Sequence, residues 1–254
     1  MLIIAMRGLQ AQSLSASVVS CSGAYYSTAS GSLSVTMGEA VQAYYSNAST
    51  SLSVGFQQAY PSLLKQLLLT LFLEGLYDGP SMRKAQNASG NQFTGTVADR
   101  INVVLHQSTA PYTVLTTLAN VDLNANGTAQ TSVPGNYGSS YYLSIQHRNH
   151  LETWTAAPVS FAGTAISYNF SEAANKAYGN RLKDLGEGVF GLYAGDVDAN
   201  GLVNLADITT ATASATAFAT GYIPNDANGD GTVDALDLIL IDNNAAMALS
   251  VAHP

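Results

Sequence analysis

Apolar and small polar residues alternate in short runs along the first quarter of the chain: Leu14-Ser15-Ala16-Ser17-Val18, Leu33-Ser34-Val35-Thr36-Met37 and Leu52-Ser53-Val54-Gly55-Phe56. A two-residue period puts one face of a strand in a core and the other in water. The tetrapeptide Ser-Leu-Ser-Val occurs at 32–35 and again at 51–54, and Ser-Thr-Ala-Ser-Gly and Ser-Asn-Ala-Ser-Thr supply turn chemistry nearby. The pattern predicts a small antiparallel β unit over 12–60. Further strands are predicted at 67–77, 93–105, 112–118, 128–133, 140–148 and 159–170. In the second of these, positions 101, 103 and 105 share a face; in the fifth, the odd positions are the apolar set. Turn signals such as Asp78-Gly79-Pro80, Asn124-Ala125-Asn126-Gly127 and Pro134-Gly135-Asn136 separate the runs. Short strands with Gly/Asn turns predict an antiparallel, immunoglobulin-like β-sandwich over 66–172. Residues 173–190 read as a connector with a helical turn near 173–178.

Charge changes the picture after residue 190. The chain has 254 residues, 9 Lys+Arg against 17 Asp+Glu, and a net charge of -8. Residues 1–190 hold 9 basic and 9 acidic groups; residues 191–254 hold the other 8 acids and no Lys or Arg. Eight unopposed carboxylates in a compact segment repel one another. The segment is therefore either disordered or neutralised by something cationic. No Pro/Ser/Thr-rich linker precedes it, which predicts that it packs on the sandwich. Nine dispersed cations form no phosphate-binding patch, which excludes nucleic acid as a partner. The longest apolar stretch, 63–73, is interrupted by Lys65 and Gln66 and is too short to span a bilayer. The lone Cys21 excludes an intrachain disulfide and reads as a small, half-buried side chain. Residues 1–11, with the apolar run 2–6 and Leu9-Gln10-Ala11 before Gln12, read as a residual export signal. That points to a secreted or cell-surface protein.

Two copies of one pattern lie in the acidic segment. The first, loop one, runs Asp196-Val197-Asp198-Ala199-Asn200-Gly201-Leu202-Val203-Asn204-Leu205-Ala206-Asp207. The second, loop two, runs Asp226-Ala227-Asn228-Gly229-Asp230-Gly231-Thr232-Val233-Asp234-Ala235-Leu236-Asp237. Each has side-chain oxygens at positions 1, 3, 5, 9 and 12, Gly at 6 and Val at 8. Leu202 and Thr232, at position 7, offer backbone carbonyls. Alternate residues of a tight loop turn their oxygens inward, and a hard cation such as Ca²⁺ takes six to eight of them. Two Ca²⁺ ions are therefore expected, ligated by Asp196, Asp198, Asn200, Leu202, Asn204 and Asp207 in loop one and by Asp226, Asn228, Asp230, Thr232, Asp234 and Asp237 in loop two. Val203 and Val233 are expected to join the loops through a short β bridge. Position 12 falls in the first turn of a helix, marked after loop two by Leu236, Ile239 and Leu240 and after loop one by Leu205 and Ile208. Position 12 is Asp rather than the Glu of an EF-hand, and the glycine-rich 185–191 excludes an entering helix.

A loop plus an exiting helix, twice over, resembles the dockerin type I module across 191–254. The resemblance implies calcium-dependent folding and docking to a cohesin-like partner. The positions that read a cohesin in such modules are here Leu205-Ala206 and Ala235-Leu236, not a Ser/Thr pair. Residues 32–39 with Gly55-Phe56-Gln57-Gln58, residues 71–79, and His147-Arg148-Asn149 with Glu152-Thr153-Trp154 are similar to modules of secreted Bacteroidota-type multidomain proteins. That resemblance implies an extracellular protein and no particular reaction.

Catalytic candidates are few. There is no Gly-x-Ser-x-Gly elbow, and Glu74 and Glu152, the best carboxylates for glycoside chemistry, read as ion-pair partners of Arg148 or Arg83. His147 and His150 are expected on opposite faces of a strand. Trp154 and the pairs Tyr25-Tyr26, Tyr44-Tyr45 and Tyr141-Tyr142 could form a sugar platform, but one of each pair reads as core. The chain thus reads as non-catalytic. The favoured function is a calcium-stabilised extracellular structural or assembly protein, a homo-oligomer or homopolymer built through β-strand contacts into a filament or surface layer. The alternative is an accessory of polysaccharide degradation that binds glycan and docks through its tail to a cohesin-like protein.

Overall fold

The computed structural model describes residues 22–28, 31–37, 43–46, 51–54 and 64–254. The export-signal reading, the run at 14–18 and Cys21 lie outside the described residues. The chain divides into two compact units, Met1–Pro61 and Ser62–Pro254. In the first, β1 (Ser22–Thr28) pairs with β2 (Gly31–Met37) and β3 (Ala43–Ser46) with β4 (Ser51–Val54), both antiparallel. The two Ser-Leu-Ser-Val copies fall in β2 and β4.

The second unit is mainly β. Its strands are β5 (Leu64–Thr70), the short hairpins β6 (Tyr77–Asp78) with β7 (Ser81–Met82) and β8 (Gln86–Asn87) with β9 (Gly90–Asn91), then β10 (Val97–Gln107), β11 (Val114–Asn124), β12 (Thr128–Pro134), β13 (Ser140–Gln146), β14 (Thr153–Trp154), β15 (Val159–Ser160) and β16 (Ala165–Asn169). One eight-stranded sheet runs β14-β13-β10-β11-β12-β5-β16, with β15 also on β13; β16 joins β5 in parallel and the other pairs are antiparallel. The β11–β12 ladder is a single residue pair, Leu123 with Ala129. There the sheet curls, so that Leu67, Leu69 and Val133 on one half share a core with Ile101, Leu105, Leu143 and Ile145 on the other. The sandwich-like core is thus made by one continuous sheet folded over itself rather than by two separate sheets. Burial of these branched and aliphatic faces is the main stabilising term.

Some boundaries differ from the sequence pattern for tertiary reasons. The first strand ends at Thr70, and the chain turns through a 3-10 segment, Glu74–Leu76. Gly75 lies against the backbone of Ala227: a Cβ there would sit 1.9 Å from its carbonyl oxygen. The stretch 159–170 splits into β15 and β16. The connector holds a 3-10 turn, Ala174–Lys176, followed by a hairpin of β17 (Lys183–Gly186) and β18 (Val189–Gly191).

The acidic segment is ordered and carries the only two α-helices among the described residues, α1 (Leu205–Thr216) and α2 (Ala235–Ala245). Both start on the same device. Asn204 and Asp234 cap the first turns by accepting from Ala206 N and Leu236 N at 2.7 Å each, and Asp207 and Asp237 reach back to the capping residues' own N–H groups. The α1 run stops at Thr216, before Gly221, and the chain leaves through Phe218 at φ 52; Ala248, 30 residues on, leaves α2 at φ 50. The helices share a small core of Val197, Val203, Ala211, Ala227, Ile241 and Leu249, to which Leu151 of the sheet unit also belongs. Among the described residues no helix is long and apolar enough to cross a membrane.

Candidate metal centre

In both loops the first and twelfth aspartates accept backbone N–H bonds, two of them repeated at a spacing of 30 residues and two displaced by one position. In loop one, Asp196 accepts from Asn200 N (3.0 Å) and Gly201 N (3.1 Å), while Asp207 accepts from Val197 N (2.9 Å) and Asn204 N (2.8 Å). In loop two, Asp226 accepts from Gly229 N (2.9 Å) and Gly231 N (3.1 Å), while Asp237 accepts from Asn228 N and Asp234 N at 2.9 Å each. Gly201 and Gly231 hold φ of 83° and 86°, left-handed backbone that glycine adopts without strain. Positions 1 and 12 of each loop are thereby drawn together and buried: Asp207, Asp226 and Asp237 are 0% exposed and Asp196 is 3% exposed.

The valines do not bridge the two loops. Instead each loop pairs with the segment that follows the other loop's helix. Leu202 bridges Ser250, with Val203 N donating to Leu249 O at 3.0 Å and Val251 N to Gly201 O at 2.9 Å. Thr232 bridges Thr220, with Val233 N donating to Ala219 O at 2.9 Å and Gly221 N to Gly231 O at 2.8 Å. Both valines are buried, and Val203 packs in the small core that the helices share.

The donor set suits a hard cation. Oxygens of Asp196, Asp198 and Asp207 lie within 4.8 Å of one another. Every side chain offered by either loop is an oxygen donor, and no thiol or imidazole competes. Burial pushes the Asp196 carboxyl up to about 6, and the nearby Asp207 and Asp198 charges act in the same direction. Burial likewise pushes Asp226 up to about 6. Asp207 and Asp237 are raised for the same reason. Backbone N–H groups, and at Asp226 first the nearby Arg148 charge, offset only part of this cost. A divalent ion among these oxygens would remove it.

The acidic module is locked to the sheet by a buried polar network. Asp99 on β10 is fully buried, with His147 Nε2 at 3.1 Å and Arg148 Nε at 3.5 Å. Arg100 N donates to its Oδ1 at 2.8 Å, and so does the hydroxyl of Tyr222, which lies between α1 and loop two. Burial acts to raise the Asp99 carboxyl, but His147, Arg148 and Tyr222 outweigh it and hold it well below the usual carboxylate range. Arg148 stacks over the Tyr222 ring at 4.5 Å and donates from Nη1 to the carbonyls of Ile223 and Asp226. Asn149 Nδ2 donates to the same Asp226 carbonyl at 2.7 Å, and Gln86 N to Gly229 O at 2.9 Å. On the far side of the module, Glu74 pairs with Lys183 at 3.0 Å and accepts from Asn244 Nδ2 at 2.6 Å and Ala194 N at 2.9 Å.

Several expectations are corrected here. Glu74 pairs with Lys183, while Arg148 serves Asp99 and Arg83 lies 3.9 Å from Asp78. Glu152 accepts from Gln146 and from the Trp154 indole and has no Arg partner among the described residues. His147 and His150 are not on opposite strand faces, because β13 ends at Gln146 and the following turn brings their Nδ1 atoms to 2.9 Å. Trp154 is 7% exposed, 3.8 Å from the His106 ring, so it offers no open platform. Tyr141 packs edge-on to Phe161. Asp99 and Tyr222 carried no sequence signal of their role. Arg148 and Asn149 stood in a quoted motif, and the missing linker was the clue that they meet the module.

Gly75 N donates to His150 Nε2, so the His150 proton resides on Nδ1, facing His147 Nδ1 and Asn149 Oδ1. Burial holds this imidazole well below its ordinary value of 6.5, helped by the neighbouring His147 and Arg148 and opposed by Asp99. A depressed value in the fold means that the stability it supports is complete above 6.5 and declines as pH falls below it, by about 1.4 kcal/mol per pH unit. Urea midpoints in saturating calcium should therefore drop between pH 7 and pH 5. The His150→Gln variant keeps an acceptor for Gly75 and cannot titrate, so it should show a shallower drop. Equal slopes would remove His150 from the account.

The second unit is thus a mainly β protein with a docked two-helix module bearing repeated acidic loops. No family model matches the chain, and no curated protein does. Five solved chains match. One, from the crystal structure of an N-terminal interface mutant of a type II cohesin–X-dockerin complex of Acetivibrio cellulolyticus, is 16% identical over 71% of this chain and 94% of its own, with a TM-score of 0.38. A likeness that faint assigns no role, which has to be argued from the residues.

Proposed function

We propose that the chain is a non-catalytic, extracellular structural or assembly protein whose C-terminal module is a dockerin-like calcium module stapled to a β sheet. In this proposal Asp196, Asp198, Asn200, Asn204, Asp207 and the Leu202 carbonyl hold one ion. Asp226, Asn228, Asp230, Asp234, Asp237 and the Thr232 carbonyl hold the second. The observation that carries it is the pair of matching loops whose first and twelfth carboxylates, Asp196 with Asp207 and Asp226 with Asp237, are buried without a cationic side chain bonded to them. The ions neutralise a segment that carries 8 acids and no Lys or Arg. Module and sheet belong to one compact unit, which suits a rigid building block better than a tethered anchor.

A second function, docking to a cohesin-like partner or a glycan-degrading assembly, has one observation in its favour: Leu205, Phe218, Leu236 and Ile239 of the module are more than half exposed. Calcium stoichiometry by equilibrium dialysis, followed by light scattering and electron microscopy of the loaded protein, tests both. Two ions per chain with ordered polymers support the structural role. A loaded monomer retained on a polysaccharide column supports the accessory role. A chain that binds no calcium sinks both as stated.

A further inference from the structure

The loops share a sequence pattern and part of a hydrogen-bond scheme but differ in their surroundings. Loop two is inserted against the sheet unit: Asp226, Ala227, Asn228, Gly229 and Gly231 are all buried. Its carbonyls are gripped from outside by Arg148, Asn149 and Gln86 N. Gly229 lies so close that a Cβ would come within 2.2 Å of Leu76 Cδ2, and one on Gly231 would lie 3.0 Å from Asn87 O. In loop one Asp198 and Ala199, the counterparts of Asn228 and Gly229, are exposed, and Gly201, the counterpart of Gly231, is only partly buried. Asp196, Ala199 and Gly201 open onto a cavity of about 440 Å³. Among the residues of loop two, none lines that cavity.

Resting on the calcium proposal above, we infer that the two sites are unequal: loop two is a tight, slowly exchanging site held in shape by the sheet, and loop one an open, quickly exchanging site. Two physical effects point the same way. The grip of Arg148, Asn149 and Gln86 fixes the loop-two backbone before an ion arrives, which lowers the ordering cost of binding. Carboxylate number does not rank the loops: loop two has four in sequence and loop one three, but only in loop one, among the described residues, do three carboxylate oxygens lie within 4.8 Å of one another. Finally, Asn228 and Gly229 are buried against the sheet while their counterparts Asp198 and Ala199 face solvent, so an ion in loop two has the narrower way out. The Arg148 guanidinium does not reverse the order, because Asp99 matches its charge and its Nη1 bonds go to carbonyl oxygens rather than to the loop carboxylates. Arg148 acts here as a positioning residue.

The test is stopped-flow release of calcium from the loaded full chain into a fluorescent chelator. Two phases of equal amplitude are expected, with rates at least about tenfold apart. Asp198→Ala, an exposed substitution that leaves the fold intact, should abolish the fast phase and keep the slow one; Asp230→Ala should do the converse. Two ions released at a single rate would overturn the inequality while leaving the calcium proposal standing, as would loss of the slow phase in Asp198→Ala. A chain that holds no ion at the start overturns the calcium proposal and the inequality with it.

Discussion

If the proposed ions are bound, excess EGTA is expected to lower the melting temperature of the full chain by on the order of 10–20 °C. The estimate follows from mass action: an ion that binds only the folded state contributes about 2.7 kcal/mol when its free concentration is 100 times its dissociation constant, and there are two loops. The physical cause is the set of carboxylates that the fold forces together. Asp196 and Asp226 are pushed up to about 6 by burial, so near neutral pH the metal-free module must either protonate them or hold buried charge. The loss should concentrate where the capping carboxylates sit. Hydrogen exchange should show α1 and α2 deprotected in EGTA while β10 and β13 keep their protection. An unchanged melting curve in EGTA, at a calcium level that saturates the untreated protein, defeats the metal proposal.

Replacing Asp99 by Ala costs about 3–5 kcal/mol of unfolding free energy, the range for breaking a buried ion pair from one side. Asp99 is fully buried, accepts from the Tyr222 hydroxyl and the Arg100 N–H, and lies in ion-pair range of His147 and Arg148. Its removal leaves Arg148 charged and half-satisfied beneath the module, and it releases Tyr222, which ties α1 to loop two. The internal control is Asp122→Ala. Asp122 pairs with Arg100 at 2.8 Å, but the two side chains are 51% and 45% exposed, so its loss should cost less than about 1 kcal/mol. Urea denaturation of both variants in calcium checks the contrast. An Asp99→Ala variant within 1 kcal/mol of the parent would mean that the network does not hold the module.

How far the sequence carried depended on how local each signal was. The loops were legible because oxygens, glycine and the helix cap all fall within twelve consecutive residues. The alternation Ile101, Val103, Leu105 was legible because those side chains face the core. On β13 the same logic was incomplete. Leu143 and Ile145 are buried as expected, but Tyr142 and Ser144 are buried too, because His106, Trp154 and Tyr178 cover the other face. The contact between Asp99 and His147 joins residues far apart in sequence and leaves no periodic trace. Nor do residues 219–221 and 249–251 announce that they will pair with the loops. Their role is set by backbone groups, which any side chain can supply.

That crossed pairing makes each half of the module the seal of the other. Residues 249–251 hold the backbone of loop one closed, although they lie more than forty residues downstream of it. Cleavage of those few terminal residues would unlatch a distant loop while sparing every acidic side chain in it. A stump carrying one loop and one helix would likewise have an open seam where its twin belongs.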